Sequence, residues 1–285
     1  MRRLLAALVI LALAGCTAAP ADTYGDDGGV TLAVVQSRDD HGARIVAIEL
    51  VNTREDDIQL TRATLETAQL TEPAIWSKGT MLRSGLRLDL RVQLPEPACP
   101  LAADTTPTVT VDFVTAAGVE RTVSGIPVQP AQVLDTIAAE DCVAAGFDAQ
   151  AEVTVKAIEY TPGSNAVVVV GIEPRDVDGS VTIETVGATV LLGLIAPTGG
   201  ISQNYALGRV VERGGDDSDL RITLVPNRCD THAITEDKRG TFIPLELEIA
   251  SADGSTLRGI YYLAMSDSQK AQVYGFVTEY CGAAS

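Results

Sequence analysis

The sequence predicts a mainly all-β protein: two tandem, duplicated β-sandwich domains, each ending in a short helix. Three observations predict it. Short β-branched or alternating runs recur at regular spacing, with turn residues between them. A set of matching segments occurs twice in the same order. Each copy also carries one early and one late cysteine, so the repeat and the cysteine pattern agree.

Before the first strand, Met1-Arg2-Arg3 is followed by an apolar run from Leu4 to Leu13. That run is about half of the roughly twenty residues needed to span a bilayer, so it reads as a signal peptide over residues 1–15. The residues Leu13-Ala14-Gly15-Cys16 resemble the lipobox of bacterial lipoproteins, with small residues at the two positions before the cysteine. The resemblance implies that Cys16 becomes the mature N-terminus and carries a diacylglyceryl group. The protein would then be anchored by lipid to the outer face of the cytoplasmic membrane, and two or three acyl chains anchor stably where one does not. Residues 16–29, reading CTAAPADTYGDDGG, are small and acidic and cannot build a core, so they read as a flexible tether.

The remainder divides into a first sandwich over 30–148 and a second over 149–285. LRVQLPEPAC (90–99) aligns without a gap on LRITLVPNRC (220–229). TVTVDFVTAAG (108–118) matches PLELEIASADG (244–254), and AQVLDTIAAEDC (131–142) matches AQVYGFVTEYC (271–281). Upstream, Val30-Thr31-Leu32 answers Val153-Thr154-Val155, and Ile48-Glu49 answers Ile172-Glu173. Strands are expected at Val167 to Ile172, Val181 to Ile183, Leu220 to Leu224 and Leu245 to Ile249. Turns are expected at Pro162 to Asn165, Asp178 to Ser180 and Asp253 to Ser255. Segments such as Glu49 to Leu65 resemble bacterial immunoglobulin-like modules, without the Cys–Trp–Cys spacing of true immunoglobulin domains. The final element of each copy has helical spacing: Val133, Ile137 and Asp141 or Cys142 after Pro130, then Val273, Phe276, Val277 and Tyr280 after the cap candidates Asp267 and Ser268.

Four cysteines follow Cys16, and three pairings are open to them from count alone. The repeat selects Cys99–Cys142 and Cys229–Cys281, each closing a loop of about 40 to 50 residues and worth about 4 kcal/mol on a chain-entropy argument.

The formal charge is −17, or −19 once Arg2 and Arg3 leave with the signal. Such a surface repels nucleic acid and anionic headgroups, so no nucleic-acid partner is expected. The chain has two histidines, His41 and His232, and lacks a G-x-S-x-G elbow, a P-loop or a dinucleotide fingerprint. No catalytic residues and no cofactor are expected.

The copies differ most after their first cysteine. Fifteen positions separate Cys229 from Pro244, against nine between Cys99 and Thr108. The inserted stretch CDTHAITEDKRGT (229–241) concentrates Asp230, His232, Glu236, Asp237, Lys238 and Arg239. A string of this type resembles uncharacterised exported proteins of high-GC bacteria, from which no activity carries over. One reading is a charged loop or short helix capped by Asp230 and ended by Gly240, its charges paired locally. Another is a loop that binds a protein or small-molecule partner. Asp230, His232 and Glu236 are a sparse set for a metal, and none is expected there. The acidic turns at Asp176 to Gly179 and Asp216 to Asp219 lack EF-hand spacing and read as hairpin chemistry. Aromatics crowd the second copy, as a bulkier core or as a face presenting Tyr261 or Tyr262. The leading expectation is a non-catalytic, membrane-anchored module whose second domain recognises a partner. A metal-dependent or hydrolytic centre at His232, or a purely structural envelope role, is the alternative.

Overall fold

Period-2 alternation becomes two stacked-sheet bodies in the computed structural model, which describes residues 28–230 and 241–283. The first copy holds β1 (Val30–Val35), β2 (Ile45–Asn52), β3 (Ile58–Glu66), β4 (Ala74–Trp76), β5 (Thr80–Leu82), β6 (Arg87–Gln93), β7 (Thr108–Thr115) and β8 (Glu120–Gly125). Its sheets run β1-β2-β6 and β4-β3-β7-β8, with β5 also on β3. Helix α1 (Val133–Gln150) follows. The second copy holds β9 (Ala151–Glu159), β10 (Ala166–Pro174), β11 (Gly179–Gly187), β12 (Leu192–Ile195), β13 (Ile201–Ser202), β14 (Asn204–Glu212), β15 (Ser218–Pro226), β16 (Ile243–Ser251) and β17 (Thr256–Leu263), then helix α2 (Asp267–Ala283). Its sheets run β13-β12-β15-β10-β9 and β14-β11-β16-β17.

The duplication is therefore topological as well as sequential. Strands β1, β2 and β6 correspond to β9, β10 and β15, and β3, β7 and β8 to β11, β16 and β17, with the same neighbours in each sheet. All these pairs are antiparallel, and each copy has the immunoglobulin-like division of strands between two sheets. In β7 every second residue is buried, and β16 alternates likewise, so one face of each strand fills the core while the other meets water.

The upstream matches of the repeat slip by two residues. Leu90 pairs with Ile48 and Leu220 with Val170, so Ile48 occupies the place of Val170, and Leu50 that of Ile172. By the same register Leu32, opposite Leu50, takes the place of Val153, opposite Ile172. A slip of two keeps every side chain on its own face, which is why alternation alone did not reveal it.

Both bridges are those the repeat selects, Cys99–Cys142 and Cys229–Cys281. They sit at matched points. Leu134, Ile137, Ala138 and Cys142 are buried on α1, and Val273, Phe276 and Val277, set at the same intervals before Cys281, are buried on α2. Leu134, rather than the expected Val133, leads the buried face of α1. The start of α2 also differs from expectation. Ser266, rather than Asp267 or Ser268, is its cap: the Gln269 amide donates to Ser266 Oγ at 3.3 Å, and the Ser266 amide donates to Gln269 Oε1 at 2.8 Å. That reciprocal pair is a capping box.

Each copy has its own core. Phe113, Leu32, Ile48 and Leu65 fill the first; Phe276, Ile172, Ile183 and Leu191 fill the second. Helix α1 serves both. Leu134 and Ile137 belong to the first core, while Val143 and Phe147 belong to the second. Phe147, inside the range expected for the first sandwich, is fully buried in the second core.

Candidate functional site

Of the residues expected to form a binding loop, Asp230 lies within the described part of the chain. His232, Glu236, Asp237, Lys238 and Arg239 lie outside the described residues, as does Cys16. The frame that carries the insertion is nevertheless defined on both sides. On one side Cys229 is bonded to Cys281 of α2, and Arg228 donates to the Asp230 carboxylate at 2.9 and 3.2 Å. On the other, Thr241 is buried and Phe242 is half-buried. The Lys270 ammonium lies 5.4 Å from the centroid of the Phe242 ring, in cation–π range.

Phe242 also reaches the first sandwich. A Cβ built on Gly42, in the turn between β1 and β2, would stand 3.3 Å from its Cζ. Phe242, the residue just after the charged insertion, thus lies at the junction of the two sandwiches. Nothing in the sequence signals that placement, because Gly42 and Phe242 lie two hundred positions apart.

Arg44 organises the first-copy side of this junction. Its backbone is in the left-handed region at φ 50°, an uncommon conformation for a residue with a side chain. Its guanidinium grips Asp141 of α1, with Nε at 3.0 and 3.1 Å and Nη2 at 2.8 Å, and donates to the Pro95 carbonyl at 2.8 Å. Both side chains are largely covered, and the fork geometry satisfies each carboxylate oxygen. Sequence reasoning missed Arg44 altogether. Asp141 carried a faint signal, being next to a bridged cysteine.

Tyr261 is not a presented face. Its ring meets Phe147 edge-on at a centroid distance of 4.9 Å, and its hydroxyl donates to Asp148. Burial, with the Asp148 charge adding to it, pushes the phenol up to about 12, and burial raises the Asp148 carboxyl above the ordinary carboxylate value. The pair sits on the seam between α1 and β17. Other second-copy aromatics pack in the same manner: Phe276 of α2 lies between Tyr160 and Tyr280, at 5.5 and 5.8 Å.

Among the described residues, two open clefts lie on outer sheet faces. One, of about 440 Å³, is lined by Val35, Ala47, Asp40, Glu49, Arg87 and Arg91 on β1-β2-β6. Its two buried acids are already matched: Arg91 pairs with Asp40, and Arg87 with Glu49 at 3.2 Å. The other, of about 480 Å³, lies over β16 and β17, with Glu184, Glu246, Glu248, Arg258 and Ile260. The acidic turns are ion-paired too, since Arg213 spans Asp176 and Asp178, and Lys156 holds Asp219 at 3.1 Å. Among the described residues no group of three His, Cys, Asp or Glu side chains could hold a metal.

No family model matches the sequence, and no curated protein matches it. Among solved structures the chain is similar to the YadV chaperone, at 10% identity and a TM-score of 0.24, over 82% of this chain and 100% of that one. It is similar to the CsuC–CsuE chaperone–tip adhesion subunit pre-assembly complex of Acinetobacter baumannii, at 7% identity and 0.19, over 82% and 98%. It is also similar to a red sea bream transglutaminase, at 8% and 0.23, over 84% of this chain and 32% of that one. Scores this low carry no argument about chemistry or partner.

Proposed function

We propose that this protein is a lipid-anchored, non-catalytic interaction module of the cell envelope, in which the second sandwich supplies the recognition loop. Two disulfides belong to an oxidising, extracytoplasmic compartment. No helix among the described residues is long and apolar enough to cross a membrane. The attachment in this reading is the lipid on Cys16, on the strength of the lipobox-like residues before it. The observation that carries the recognition role is the difference between two otherwise matched copies. Strand order, core face and bridge are common to both and serve folding, whereas the charged insertion after Cys229 belongs to the second copy alone.

The anchoring of the residues on either side of that insertion suits binding. Its ends are held by the bridge to α2 and by the buried Thr241, so its polar groups lose less entropy on engagement than those of a free loop. Charge-assisted contacts from Asp237, Lys238 or Arg239 to a partner protein or small molecule would each contribute roughly 1.5 to 3 kcal/mol if desolvated, and little at a wet rim. The chain's formal net charge of −17 disfavours nucleic acid as that partner.

The experiment has two arms on the full chain. Cys16→Ser is expected to move the protein out of the membrane fraction or to block its processing, and unchanged membrane association would remove the lipid anchor from the reading. His232→Ala, Asp237→Ala and Arg239→Ala, combined, are expected to weaken capture of the envelope partner at least tenfold with little change in Tm. Unchanged capture would make the insertion a solvated face. A drop in stability of several kcal/mol would make it a structural brace.

A further inference from the structure

We infer that α1 is a strut that fuses the two sandwiches into one mechanical body, fastened at its midpoint by the Cys99–Cys142 bridge and the Arg44–Asp141 pair. The helix is continuous from Val133 to Gln150, and β9 begins at the next residue, Ala151, itself buried. No linker intervenes. Ile137 in the first core and Phe147 in the second are ten residues apart, about 15 Å along a helix axis.

The first half of the helix is held three ways: by the burial of Leu134 and Ile137, by the bond from Cys142 to Cys99, and by the Arg44 fork on Asp141. The second half is held by close approach. A Cβ on Gly259 of β17 would stand 2.6 Å from Val143 Cγ2, and one on Gly146 would stand 3.0 Å from Ile249 Cδ1. Phe147 lies against Tyr261, and the Arg175 amide donates to the Gln150 carbonyl at 2.8 Å. Swinging one sandwich against the other therefore requires α1 to break its own hydrogen bonds or to withdraw Leu134 and Ile137, or Val143 and Phe147, from a packed core. Both are costly, so the angle between the copies is set by the fold. A partner that touches both copies meets surfaces already in register and bears no cost of ordering them.

The strut is tested by electron–electron distance measurement between spin labels attached through ketone-bearing residues at the exposed positions Met81 and Val210 in the full chain. The unmodified protein is expected to give one narrow distance distribution. Ala145→Pro, at an exposed helix position, removes a helix hydrogen bond between the midpoint and Phe147 and is expected at least to double the width, while Ala145→Ser leaves it narrow. The paired Cys99→Ser, Cys142→Ser variant, with Arg44→Ala, releases the fastening and is expected to broaden the distribution with strand circular dichroism retained. A broad distribution in the unmodified protein overturns the strut. So does an unchanged width in the folded Ala145→Pro chain. If that chain fails to fold, the unmodified protein and the fastening variant decide, and an unchanged width in the latter removes the midpoint from the device.

Discussion

Tyr261 couples the seam between α1 and β17 to pH. Its phenol is half-covered and hydrogen-bonded to an acid, and its titration is pushed from 10.0 up to about 12. The folded state thus keeps the proton where the unfolded chain has already lost it. Below pH 10 both states are neutral and the term is silent. As pH rises through the interval, the unfolded state is favoured by ionisation, and stability declines until both states are ionised above the folded value. The full difference corresponds to about 2 kcal/mol after some allowance for solvent screening. Chemical denaturation at pH 9 and pH 12 should show this loss in the native chain and a smaller one in Tyr261→Phe; equal slopes would remove Tyr261 as the cause. None of this was visible in the sequence. A tyrosine in an alternating strand has its face fixed by period, but the acid that meets it comes from a helix more than a hundred positions earlier.

At the scale of elements, local chemistry was the more legible. The Ser266-to-Gln269 spacing is a capping-box pattern, and the structure forms the box, although Asp267 and Ser268 were the expected caps. Both lie inside the first turn, where a short polar side chain is common and a cap is not required. Ser266→Ala should lower stability by about 1 kcal/mol, with Ser266→Thr recovering most of it, as read from the thermal midpoint. A Ser266→Ala chain as stable as the native one would mean that the burial of Val273 and Phe276 holds the helix start without the cap. Strands were legible wherever one face is wet. Leu220 to Leu224 and Leu245 to Ile249 were expected and lie within β15 and β16. The slip between Ile48 and Leu50 was not, since alternation is unchanged by a shift of two and the partner strand sets the register.

At the scale of the molecule, α1 belongs to two bodies at once, so the point of division matters. A fragment of residues 150–285 lacks Val143 and Phe147, and the hole left by a buried phenylalanine costs about 3 to 5 kcal/mol. It should be unfolded or greatly destabilised by circular dichroism and thermal melting, whereas a fragment of residues 133–285 should be markedly more stable. Equal melting curves would show that the second core does not need the helix. The sequence by itself determined the strand periods, the internal repeat and, through the repeat, which cysteines pair, because each of these is written in spacing along the chain. Only the tertiary structure decided that Phe147 plugs the second core, that Arg44 clasps Asp141, and that Phe242 rests against the first copy at Gly42. Periodicity states which face of an element is to be buried. It does not state which surface will bury it, and that choice is made by the packing of residues far apart in sequence.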